Sequence, residues 1–101
     1  MNAKIELIDI IKSTDIKCAE ITIGYFSDDC PVIILKENYT NEELEEFLTK
    51  LDFDYDDGCG GQELYGIVWH KNNKDWLTRG EYNGSEWWNY NSLPEIPEQL
   101  Q

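Results

Sequence analysis

The sequence predicts one α+β domain, a largely antiparallel sheet with a single amphipathic acidic helix packed on it. Three observations predict this: one run with a helical apolar stripe, several short runs of alternating apolar and polar residues, and tight turn signals between the later runs. At 101 residues the chain can bury a core without disulfides or metals. No internal repeat, low-complexity tract or Pro/Gly/Ser linker divides it, so residues 1–101 are read as a single domain.

Ile5, Leu7, Ile8, Ile10 and Ile11 form a β-branched run that reads as a first strand, with a short helix as the alternative. Ala19, Ile21, Ile23 and Tyr25 alternate with Cys18, Glu20, Thr22 and Gly24, the period of a half-buried strand. Ser27-Asp28-Asp29 reads as a turn, and Val32 to Leu35, after Pro31, as a buried strand. The helix follows: Thr40 caps it, and Glu43 three residues later completes a capping box. Leu44, Phe47, Leu48 and Leu51 make the inward stripe, and Glu42, Glu45 and Glu46 the outward face. Leu64–His70 alternates, Asn72 to Asp75 turns, and Trp76–Tyr82 returns. Asn83-Gly84 is a strong two-residue hairpin signal before Glu86–Tyr90, and Pro94 and Pro97 end regular structure. The expected order is β-β-β-α-β-β-β.

Composition narrows the function. Twenty-one acids against eight bases give a net charge of −13, which repels nucleic acid and anionic membranes and attracts basic protein surfaces. The N-terminal run carries acids and no small-residue cleavage site, unlike a signal peptide, and no apolar stretch approaches a membrane span. Cys18, Cys30 and Cys59 are odd in number and form no CxxC. A cytoplasmic protein with free thiols is expected.

Charge is concentrated in the middle: from Glu37 to Glu63 lie ten acids and one base, Lys50. A solvated helix face with a polar loop explains this without any partner. The sharper reading is an anionic surface of Glu42, Glu45, Glu46, Asp52, Asp54, Asp56 and Asp57 that imitates nucleic acid and occupies a basic groove on another protein. Within this segment, Asp52, Asp54, Asp56 and Glu63 have the spacing of a calcium loop, but Asp57 stands where the tight turn needs glycine. Alternation offers a metal-free account, with Phe53 and Tyr55 inward and the aspartates outward. No cofactor is expected.

Trp69, Trp76, Trp87 and Trp88 fall within twenty residues. Neighbours on a strand face opposite sides, so one of Trp87 and Trp88 belongs to the core and the other is a candidate interface anchor. Trp87 is expected inside, sharing parity with Tyr82 across the Asn83-Gly84 turn. Catalysis finds little support. His70 is the only histidine, and carboxylates around Cys59 blunt its thiol. No G-x-S-x-G, phosphate loop or zinc spacing occurs.

The stretch Gly66-Ile-Val-Trp69, Asp75-Trp76, Arg79-Gly-Glu81-Tyr82-Asn-Gly84-Ser85-Glu86-Trp87-Trp88 and Pro94-Glu-Ile96-Pro97 resembles the C-terminal signature of small bacteriophage and prophage proteins of unassigned function. The likeness covers roughly residues 60–100. It implies a phage origin and, by association, an inhibitor of a host or defence nucleoprotein in the host cytoplasm, anti-CRISPR proteins being one such class. The alternatives are a small structural or assembly accessory protein whose aromatic sheet face pairs with itself or another protein, and a calcium-stabilised module.

Overall fold

The computed structural model describes residues 1–24, 31–55 and 62–101. It contains α1 (Ala3–Ile10), β1 (Ile16–Ile23), β2 (Val32–Leu35), α2 (Asn41–Lys50), β3 (Leu64–His70), β4 (Asp75–Tyr82) and β5 (Ser85–Ser92), with short 3-10 turns at Ser13–Asp15 and Glu98–Leu100. The strands form one antiparallel sheet in the order β2-β1-β3-β4-β5. The α+β class holds, and both helices contribute to the core on one side of the sheet.

The first element is a helix, not the expected strand. Asn2 caps it by accepting from the Ile5 amide at 3.0 Å. Ala3, Leu7 and Ile11, four residues apart, are all buried, whereas Ile5 and Ile8 face solvent. One cap and one i, i+4 stripe outweigh the strand preference of the β-branched residues, which is at most about 1 kcal/mol per position.

β1 follows the expected alternation, with Ala19 and Ile21 buried and Glu20 exposed. β2 is a strand but not a buried one. It is the sheet edge, and only Ile33 and Leu35 point inward, leaving Val32 and Ile34 exposed. The Ser27-Asp28-Asp29 turn lies outside the described residues.

α2 matches its expected cap and stripe. Thr40 accepts from the Glu43 amide and the Glu43 carboxylate accepts from the Thr40 amide. Leu44, Phe47, Leu48 and Leu51 are buried.

β3, β4 and β5 form a meander. Asn83 and Gly84 both have positive φ, 52° and 84°, as a type I′ turn requires. Their register pairs Tyr82 with Ser85, Gly80 with Trp87 and Arg79 with Trp88. Tyr82 and Trp87 do share a face, but it is the outer one, where Tyr82 is 71% exposed. The expectation for the tryptophans is therefore reversed: Trp88 is in the core and Trp87 is outside.

Candidate functional site

The stripe that buries α2 fixes where its charge goes, leaving Glu42, Glu45 and Glu46 exposed on the outward side. The chain then runs extended beside the start of α1. The Ala3 amide donates to the Phe53 carbonyl at 2.9 Å, and the Tyr55 amide to the Met1 carbonyl at 2.8 Å. Asn2 and Asp54 form an isolated antiparallel bridge. Alternation then works as expected, with Phe53 packed on the core, Tyr55 buried, and Asp52 and Asp54 exposed. Asp52 accepts from the Asn2 side chain at 2.9 Å. Asp56 and Asp57 lie outside the described residues.

Of the calcium-loop spacing only Asp52, Asp54 and Glu63 lie among the described residues. Asp54 sits in an extended bridge rather than a loop folding back on itself, and the Glu63 amide donates to Glu86 at 2.7 Å. Among the described residues, no group of three or more His, Cys, Asp or Glu could hold a metal.

Beneath this layer lies a cluster that sequence reasoning missed. The Arg79 side chain is only 2% exposed. It pairs with Glu6 of α1 at 3.0 Å and with Glu86 of β5 at 2.7 Å, and donates to the Tyr55 hydroxyl at 2.6 Å. Glu86 also accepts from the Leu64 amide at 3.0 Å, so its oxygens are engaged by backbone as well as by guanidinium. The Trp88 and Tyr55 rings lie 5.0 and 5.5 Å from the Arg79 guanidinium carbon. Burial alone would lower the Arg79 pKa, but hydrogen bonds to Glu86 and Tyr55 and the charge of Glu6 raise it overall. The only advance signal is that Arg79 and Glu86 share the inward parity of Leu77 and Trp88 across the hairpin.

Burial, and then the hydrogen bond to Glu6, push the Tyr55 hydroxyl well above its usual range. The unfolded chain therefore loses this proton first, and stability from the neutral hydroxyl is full below pH 10 and falls above it. Tyr55→Phe should flatten this alkaline fall in urea melts between pH 9 and about 11; an unchanged slope would place the Tyr55 proton outside the coupling.

Among the described residues, no element covers the outer face of the sheet. Its strands project Val32, Ile34, Tyr65, Ile67, Trp69 and Trp87, all more than a third exposed. Two of these rings lie down on the sheet over glycines. A Cβ at Gly80 would meet the Trp87 indole at 2.7 Å, and one at Gly24 would meet the Tyr65 ring at 2.7 Å. Trp87 also donates its indole N–H to Asn89 at 2.7 Å. Trp69 and Trp76 pair across β3 and β4. With Leu93 and Lys17 they line an open groove of about 360 Å³.

The acids of α2 and Trp87 are thus on opposite sides of the sheet. The expected combined surface resolves into an anionic helix layer and an aromatic strand face, and Trp88 belongs to neither. His70 accepts from the Asn72 amide at 3.0 Å and lies 4.0 Å from Asp15, holding the β3–β4 turn. The Cys18 thiol is pushed up by burial and then by Glu37, away from nucleophilic character. Cys30 and Cys59 lie outside the described residues. No helix is long and apolar enough to cross a membrane among those residues. No family model, curated protein or solved structure matches the chain.

Proposed function

We propose that this chain is a phage-encoded acidic binding protein that inhibits a host or defence nucleoprotein by occupying its nucleic-acid groove, the mode of action of some anti-CRISPR proteins. The observation that carries this reading is the helix layer. Glu42, Glu45, Glu46, Asp52 and Asp54 are exposed there, and among the described residues no basic side chain forms an ion pair with them. Residues three or four apart on a helix stand about 5–6 Å apart, a density of charge comparable with a nucleic-acid backbone. The capping box and the buried stripe hold these carboxylates on a rigid support, so little ordering entropy opposes docking. The likeness of the C-terminal segment to bacteriophage proteins supports the origin.

The test is a charge reversal. Glu45→Lys, Glu46→Lys and Asp54→Lys combined should leave melting within about 1 kcal/mol of the parent, since these side chains make no core contact. The parent, used as bait in host extract, should capture a nucleic-acid-binding protein that duplex DNA displaces, with capture weakening as salt rises. The reversed variant should capture none. Retention of the same protein by the reversed variant, or failure of DNA to displace it, would overturn the reading.

A further inference from the structure

We propose that the outer face of the sheet is covered by the same face of a second copy of this chain, making a two-sheet sandwich with the helix layers on its outside. Three observations select this occupant.

The first is area. Applied to side chains of roughly 150–250 Å² for the aromatics, the fractional exposures leave about 600 Å² of apolar and aromatic surface. That equals or exceeds the largest patch of a typical monomer, about 300–600 Å². A stable pairing buries about 800 Å² per partner, which the Thr and Asn residues around the patch would complete.

The second is charge. The chain carries −13, yet Glu20 is the single carboxylate that the described strands project to this face at a paired position, and Lys17 and Lys74 reach it only at the Trp69–Trp76 groove. A basic partner would find almost nothing to pair with here. A second copy would find an equally sparsely charged face, and this orientation keeps the two anionic helix layers as far apart as the fold permits.

The third is shape. Tyr65 and Trp87 lie flat over Gly24 and Gly80 instead of standing clear of the sheet. A second sheet can therefore approach to the usual separation of about 10 Å. Leu93, at the Trp69–Trp76 groove, adds an exposed apolar side chain to the same rim.

This pairing is independent of the anionic-layer reading, and the two respond to salt in opposite ways. Sedimentation equilibrium of the full chain from micromolar to millimolar concentration should give a monomer–dimer equilibrium. It should tighten with added salt as repulsion between the two anionic chains is screened. Ile67→Lys faces Glu20 across β1 and β3, so the fold should tolerate it, but the dimer should weaken at least tenfold. Glu20→Gln removes the one carboxylate that the pairing would enclose and should tighten the dimer severalfold. A monomer at every concentration would overturn the proposal, meaning that a different molecule covers the face. So would a dimer unaffected by Ile67→Lys while circular dichroism and melting show that variant folded.

Discussion

Arg79→Met should cost about 3–5 kcal/mol of unfolding free energy, because it strands two carboxylates that share the guanidinium as their counter-ion. The Glu86 side chain is fully buried and that of Glu6 only 13% exposed, so Glu86 cannot reach water without opening the domain. Small domains have about 5–15 kcal/mol in total, and the variant should melt far below the parent or fail to fold at neutral pH. A second change makes the cause testable. Arg79→Met combined with Glu86→Gln removes one stranded charge and keeps an acceptor for one of the Glu63 and Leu64 amides. It should be more stable than Arg79→Met alone. Urea melts of the three proteins decide the matter; a single variant within about 1 kcal/mol of the parent would mean that the cluster is not a desolvated ion network.

The two adjacent tryptophans should behave as opposites. Trp88→Ala removes a core ring that also lies against Arg79, and should cost about 3–5 kcal/mol. Trp88→Phe should cost clearly less, since the Trp88 indole N–H has no hydrogen-bond partner among the described residues and a phenyl ring still meets the guanidinium. Trp87→Ala loses a ring lying on Gly80 and one hydrogen bond to Asn89, and should cost about 1 kcal/mol or less. Thermal melts of the three variants read this directly. Comparable losses for Trp87→Ala and Trp88→Ala would mean that both faces of β5 are covered within one chain.

What could be read from the sequence was what depends on neighbours along the chain. The Thr40–Glu43 box, the Leu44 to Leu51 stripe, the Asn83-Gly84 turn and the alternation of β1 and β3 are each decided within about eight residues. α1 failed for a local reason of a different kind. Its buried stripe begins with Ala3, too small to register as a core residue, while the conspicuous isoleucines Ile5 and Ile8 are the exposed ones. The tryptophans failed for a non-local reason. Period two separates Trp87 from Trp88, but which face is inner depends on which side the helices cross, and aromatic residues line both sides. Of the Arg79 cluster only the shared parity of Arg79 and Glu86 was legible, since Glu6 and Arg79 lie 73 residues apart. For the candidate surfaces, the outward position of Glu42, Glu45 and Glu46 followed from the stripe alone. The separation of those acids from Trp87 required the fold.

The buried ion cluster also has a bearing on which alternative folds the chain avoids. Both faces of the meander are rich in aromatics, so hydrophobicity alone discriminates poorly between the observed β4–β5 pairing and one slipped by a single residue. Arg79 and Glu86 do discriminate. They stand two residues apart in the ladder and so on one face, with Arg79 opposite Trp88 and Glu81 opposite Glu86. A one-residue slip of β4 turns Arg79 to the opposite face and leaves Glu86 enclosed without a counter-ion, and a slip of β5 takes Glu86 away from Arg79, which then keeps only Glu6. Glu6 makes the same demand on the docking of α1. An ionic group that adds little net stability thereby acts as a proofreader of strand alignment, imposing several kcal/mol on mispaired forms and almost nothing on the correct one.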